Sequence, residues 1–301
     1  MKIRKPRSLV RDDTLGVVAP SRTIYGARQV LTKSLKLLKR FGFQVKLGNN
    51  LNKKCYSSAG TIQERLEDIH QMFKDQRVKA IFCALGGDSS NQLIDQLDYP
   101  LIAANPKIFV GYSDVTHLLL AIYRQTGLVT YHGPNLNILS HLTKSSVTQM
   151  MQVLTAATTT LNYWENVSIY KPGRTTGKLI GGNLFVINCL LKTDYMPDLT
   201  GAILFWEDVN ENLGSIEFQL YQLKLSGVLE KISGMVIGHI HYPSSEATKP
   251  LKELVREITK SYAFPIIKVN YFGHRIKKFY TFPIGSVVSL NTYSQIFTIN
   301  I

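Results

Sequence analysis

The order of apolar segments in the first half of the chain constrains its fold more than any other feature. Thr14 to Ala19 (TLGVVA), Phe43 to Leu47, Val78 to Leu85 (VKAIFCAL) and Ile108 to Val110 are short apolar runs of strand length. Between them lie segments with apolar residues at helical spacing. In Ala27 to Phe41 these are Val30, Leu31, Leu35, Leu37, Leu38 and Phe41, followed by Gly42. Thr61 to Asp75 opens on Thr61 and Glu64, spaced as a capping box. Asn91 to Leu97 reads as a third helix, and Val115 to Gln125 as a fourth that stops at Gly127. Runs that are apolar throughout suit strands buried on both faces. Strand and helix in alternation require crossover connections, so a mostly parallel sheet with helices on its faces is predicted.

The second half repeats the mixture less regularly. Strands are predicted at Ala202 to Trp206, Gly234 to Ile240, Ile266 to Val269 and Ser286 to Leu290. Helices are predicted at Asn183 to Leu191, Ser215 to Ser226 and Leu251 to Ser261. The fold class is therefore α/β: an N-terminal, mostly parallel sheet flanked by helices, then a second, smaller α/β or α+β domain. The boundaries fall at 1–155 for the first domain and 177–301 for the second. The Thr- and Asn-rich stretch 156–176, with Pro172-Gly173, reads as a linker or substrate-side loop.

Composition excludes several classes. The basic first ten residues are followed by Arg11, Asp12 and Asp13 where a signal peptide needs an apolar run, and no later stretch approaches the length of a spanning helix. A cytoplasmic protein with no membrane partner is expected. Cys55, Cys83 and Cys189 are odd in number, widely spaced and lack a CxxC, so neither a disulfide framework nor a zinc site is indicated. The net charge of +14 favours anionic ligands, but the basic residues are scattered and carry no nucleic-acid-binding motif. No nucleic-acid partner is expected.

The residues best suited to chemistry are Gly111-Tyr112-Ser113-Asp114, between a buried strand and a helix. A serine on such a turn projects its hydroxyl off the sheet, the logic of a nucleophile elbow, although the GxSxG spelling is absent. The alternative is a plain helix N-cap, where Ser and Asp are both common. A nucleophilic serine needs a histidine base oriented by a carboxylate. Glu207 stands out because it ends the apolar strand AILFW, where an unpaired charge costs several kcal/mol, with Asp208 beside it. Among His70, His117, His132, His141, His239, His241 and His274 the pattern selects none, since triad members converge from any chain order. Gly86-Gly87-Asp88 ends a strand at the same sheet edge as Gly111, so its amides could face an oxyanion. Gly181-Gly182-Asn183 reads as a similar turn. No HExxH or other metal-ligand spacing occurs.

Several stretches resemble those of one family, the serine peptidases that comprise LD-carboxypeptidases and microcin C immunity peptidases. They are GVVAPS from Gly16, GGDSSNQLIDQLDY from Gly86 and NPKIFVGYSDVTHLLLAIYRQTGLVTYHGPN from Asn105. In the second half they are GKLIGGN from Gly177, PDLTGAILFWEDV from Pro197, LKLSGVLEKISGMVIG from Leu223 and the FGH ending at His274. The resemblance implies a Ser–His–Glu triad of Ser113, His274 and Glu207, and an oxyanion hole of backbone amides at Gly87 and Asp114. It also implies a homodimer and no metal or organic cofactor. Gly86, Asp88 and Trp164 are carried as substrate-side residues. GGDSSNQL departs from the GGYG-like stretch of many murein enzymes and lies nearer the microcin-immunity branch. The segment Trp164 to Thr176 is short for that branch's nucleotide-holding loop, although Trp164 could stack on an adenine.

The activity so implied is a serine carboxypeptidase acting on a peptide or peptidyl-conjugate substrate, first of all the L,D-bond of murein tetrapeptides. The alternative is cleavage of peptidyl- or aminoacyl-nucleotide conjugates in microcin immunity. A non-catalytic peptide-binding protein is the rival from a different class, and retention of all three triad residue types argues against it.

Overall fold

The computed structural model describes residues 2–156, 160–242 and 251–300. The chain divides into two compact units, Met1–Ala157 with Tyr280–Ile284, and Thr158–Phe279 with Gly285–Ile301.

In the first unit the strands β1 (Thr14–Val18), β2 (Gln44–Leu47), β3 (Val78–Cys83), β4 (Ile108–Gly111) and β5 (Thr130–His132) are all parallel. A sixth strand, β12 in chain order (Phe282–Ile284), pairs antiparallel with β5, giving the order β12-β5-β4-β3-β1-β2. The crossovers carry α1 (Arg28–Arg40), α2 (Ile62–Lys74), the short α3 (Tyr99–Ala104) and α4 (Thr116–Thr126). β3 and β4 are buried almost throughout, as their unbroken apolar runs require. Phe73 of α2 stacks on Phe109 of β4 with ring centroids 6.0 Å apart. The Thr61–Glu64 capping box forms, and α4 ends on Gly127 at φ 74, a left-handed cap that an L side chain would strain.

One expectation fails in this unit. The helix expected over 91–97 is only a 3₁₀ turn, Ser90–Leu93, and the helix proper starts later, where Asp98 caps Leu101 and Pro100 sits in the first turn. After β5 the short α5 (Leu136–Leu139) and the longer α6 (Lys144–Leu154) complete the unit's helices.

The second unit is built on an eight-stranded mixed sheet, ordered β6-β14-β13-β8-β9-β10-β11-β7. Its strands are β6 (Thr160–Asn162), β7 (Ser168–Lys171), β8 (Arg174–Asn183), β9 (Ile203–Val209), β10 (Gly234–His241), β11 (Ile266–Lys268), β13 (Val287–Asn291) and β14 (Ile296–Asn300). β8 through β11 run parallel and the flanking strands antiparallel. The helices are α7 (Leu184–Leu190), α8 (Leu213–Leu225) and α9 (Leu251–Ile258). An α/β chain with a parallel-sheet N-terminal half and a smaller mixed-sheet C-terminal half is thus what the apolar pattern predicts.

The stretch read as a linker, 156–176, contributes β6, β7 and the start of β8 to this sheet. Its residues 157–159 lie outside the described residues. Gly181-Gly182-Asn183 is not a turn but the end of β8. A Cβ at Gly181 would stand 1.7 Å from the carbonyl oxygen of Phe205, so only glycine lets β9 run this close. β9 also extends through Glu207 and Asp208 to Val209, so the two carboxylates sit inside the strand and not at its end.

Candidate active site

Ser113 occupies the tight turn between β4 and α4. Tyr112 before it is extended, and Ser113 itself has φ 66, a left-handed conformation that costs an L residue about 1–2 kcal/mol. The helix-cap alternative does not hold. The N-cap positions of the 3₁₀ turn Ser113–Val115 and of α4 fall on Tyr112 and Val115, neither with a side-chain cap bond.

Neighbouring groups hold the bend. The carboxamide of Asn135, 1% exposed, accepts from the Tyr112 N–H at 3.2 Å and donates to the Tyr112 carbonyl at 3.3 Å. It thereby pairs both backbone groups of the residue before the bend. A Cβ at Gly86 would lie 3.0 Å from the Ser113 Cβ and 3.1 Å from its Oγ, so the Gly86-Gly87 turn packs directly against the serine. A Cβ at Gly87 would meet Ser21 Oγ at 2.2 Å. The Gly87 N–H meets no acceptor among the described residues.

Asp114 ties this turn to the next. Its buried carboxylate accepts from the N–H groups of Ser89 at 3.2 Å and Ser90 at 2.9 Å, and its carbonyl accepts from Ser90 Oγ at 2.7 Å. Burial alone would raise its pKa, but hydrogen bonds from His117, Ser21 and the Ser90 amide hold it below the usual value. His117 is accounted for in the same way, buried with Nδ1 3.3 Å from Asp114 Oδ1. His132 is fully buried in β5, edge-on to Tyr112. Asp88 is exposed at the rim of the turn.

In the second unit Glu207 is wholly buried and its Oε2 lies 2.6 Å from His274 Nδ1. Burial would lower the imidazole pKa, but the Glu207 charge and hydrogen bond outweigh it and leave it raised. Gly273, at φ 126, lets the loop turn here, because a Cβ would strike the His239 carbonyl oxygen at 2.6 Å. Phe272 anchors the loop, its ring edge-on to Phe205 at 5.7 Å and its carbonyl accepting from the His239 N–H at 2.8 Å.

Asn183 serves two roles that a reading of its segment as a turn misses. Its Oδ1 caps α7 by accepting from the Val186 N–H, while its Nδ2 reaches Glu207 Oε1 at 3.4 Å and Asp208 Oδ1 at 3.1 Å. Asp208 is 2% exposed, and burial together with the Glu207 charge pushes its pKa up to about 7. The adjacent buried carboxyls thus carry less than two full charges near neutrality. Trp164, partly buried just after β6, donates its backbone N–H to Asn162 Oδ1 at 3.1 Å. Among the described residues no group of three or more His, Cys, Asp or Glu side chains is placed to hold a metal ion. No described helix is long and apolar enough to cross a membrane.

A serine on a left-handed elbow and an imidazole held by a buried carboxylate are the parts of nucleophilic acyl transfer. Comparison with known proteins agrees. Residues 15–133 match the LD-carboxypeptidase N-terminal domain and residues 176–290 the LD-carboxypeptidase C-terminal domain. A Bacillus subtilis protein described as "Probable murein peptide carboxypeptidase" is 36% identical over 300 residues, which cover 96% of this chain and 92% of that protein. The Escherichia coli microcin self-immunity protein MccF is 30% identical over 288 residues, covering 85% and 84%. The crystal structure of an MccF-like protein from Bacillus anthracis superposes with a TM-score of 0.90 at 31% identity, over 99% of each chain.

Proposed function

This chain belongs to the LD-carboxypeptidase family of serine peptidases, and on that premise we propose that it releases the terminal D-residue of a murein tetrapeptide. Ser113, His274 and Glu207 are the triad of this reading. The observation that carries it is the 2.6 Å bond between Glu207 and His274 Nδ1. With Nδ1–H donated to the carboxylate, the ring's basic nitrogen is Nε2, as a general base for a serine requires.

In this reaction His274 takes the Ser113 proton as the oxygen attacks the carbonyl of the L,D-amide bond. Glu207 stabilises the imidazolium. The amides of Gly87 and Asp114 receive the tetrahedral oxyanion, each donor contributing about 3 kcal/mol. His274 then protonates the departing amine, and water, deprotonated by the same ring, hydrolyses the acyl-serine.

A second reading, hydrolysis of a peptidyl- or aminoacyl-nucleotide conjugate, is supported by the likeness to MccF and the MccF-like structure. Mass spectrometry separates the two. Wild-type protein and Ser113→Ala are each incubated with a murein L,D-tetrapeptide and with a peptidyl sulfamoyl-adenosine conjugate. Loss of the terminal D-residue in wild type, absent in the variant, is the expected result. Cleavage of the conjugate alone moves the chain to the second reading, and cleavage of neither rejects both.

A further inference from the structure

The carboxyl ends of β10 and β11 bring a lysine and two histidines onto neighbouring strands. Lys268 closes β11 and is partly buried. Its ammonium donates to Asn270 Oδ1 at 2.7 Å and to the Gly238 carbonyl at 3.3 Å. His239 and His241, both partly buried, lie at the end of β10. Lys268 pairs in register with Ile237, so His239 and His241 follow on the adjacent strand two and four residues further on. After burial, the charge of Lys268 presses the His239 imidazole toward its neutral form. Burial also lowers the Lys268 pKa to about 8, which leaves the amine mostly charged at neutral pH.

A sheltered ammonium is costly unless an anion or enough acceptors surround it. Here both acceptors are neutral, and among the described residues no carboxylate lies within 4.0 Å of the Lys268 amine. Lysine has three N–H donors, of which two are engaged, so one remains for an incoming group. The position is also suited to a ligand. β9, β10 and β11 are adjacent and parallel, and ligands of such sheets collect outside the carboxyl ends of the strands. Glu207 lies toward that end of β9, near enough for its charge to act on His239.

We infer that Lys268, flanked by His239 and His241, is a subsite for a small oxyanion of the substrate. In a murein peptide this anion is the terminal carboxylate, and in a nucleotide conjugate it is the sulfamoyl or phosphoryl link. The inference deepens the proposed function and rests on it. Such a subsite would give a preference for peptides that end in a free acid, which a triad alone does not provide.

Calorimetry on the Ser113→Ala protein tests it without turnover. The probes are a murein tetrapeptide, the same peptide as its C-terminal amide, and aspartyl sulfamoyl adenosine. The free acid is expected to bind at least 10-fold tighter than the amide at pH 7. Lys268→Met in the same background should erase that ratio with amide affinity unchanged, while Lys268→Arg should keep it. If Lys268→Met instead weakens only the sulfamoyl compound by 10-fold, the subsite stands and its anion is that of the conjugate. The inference is overturned if Ser113→Ala binds no probe. It is equally overturned if Lys268→Met leaves the ratio and the sulfamoyl affinity intact. Thermal melting of each variant separates a lost subsite from a lost fold. Failure of the proposed function reads differently, as wild-type protein that cleaves neither substrate while the acid-to-amide ratio persists.

Discussion

Ser113 in the first unit and His274 in the second are each held in a defined position, one by bent backbone and the other by charge. Around Ser113 the constraint is conformational: a left-handed residue, a glycine turn packed against it and a neutral carboxamide that pairs both backbone groups of Tyr112. Around His274 it is electrostatic, through a buried carboxylate whose own neighbour is another buried carboxyl. None of the groups just named around Ser113 ionises, and the Asp114 carboxylate behind the turn is held below its usual pKa. The second arrangement titrates, so the pH dependence of the whole enzyme should come from the second unit.

Glu207→Gln tests this contrast most severely. It is expected to lower kcat about 1,000-fold or more, since the ring loses both its tautomer control and its counter-charge. Sign matters as well as size. The imidazole must be neutral to act as base, and Glu207 raises its pKa above 6.5, so the acid limb of wild-type activity should lie above that value. Without the Glu207 charge burial dominates, and the limb of the residual activity should move down in pH. A limb that stays in place would remove His274 from the role of base.

Asn135→Ala attacks the other half. Removing the hydrogen bonds to both backbone groups of Tyr112 should cost about 2 kcal/mol of stability, read by denaturant titration. It should reduce kcat about 10-fold or more with little change in KM, and should not move the acid limb. A shifted limb would show that the two halves do not divide the work as described.

Asp208→Asn has the smallest expected effect on turnover at pH 7, within about 3-fold, because the native carboxyl is already half protonated there. Its effect on stability depends on pH. The folded-state pKa of about 7 exceeds the ordinary 3.8, so the protonated group supports the fold at low pH. That support is lost as pH rises toward and through 7. The asparagine variant should therefore match wild type to within about 1 kcal/mol near pH 4 and be more stable by about 4 kcal/mol at pH 8. Equal stability at both pH values would mean that Asp208 is ionised at little cost.

The two halves also differ in how far the sequence reveals them. In the first unit the strand-helix alternation is local, so apolar runs and glycine stops suffice to place β1 to β4 and α4 around Ser113. Glu207 is legible because a carboxylate inside an apolar strand demands an explanation. Asn135 is not, although it lies three residues from His132 in a stretch that attracts notice for its histidine. A buried amide bonding a backbone far along the chain leaves no local pattern, and neither do the long-range bonds of Asn183 to the Glu207 and Asp208 carboxyls. β6 and β7 are polar edge strands of three and four residues, which read as loop until their partners are known. His274 is singled out by resemblance to a family and by no periodicity.

The return of β12 to the first unit bears on how the chain is made. On a ribosome, β5 emerges long before the strand that covers it, and Phe282 pairs with His132 only after almost all of the second unit has been synthesised. Until then the nascent first half carries a bare sheet edge, a template for pairing with other chains. A gene cut at the boundary near residue 157 would encode that same unfinished intermediate, and its product should aggregate through that edge where the full-length chain does not.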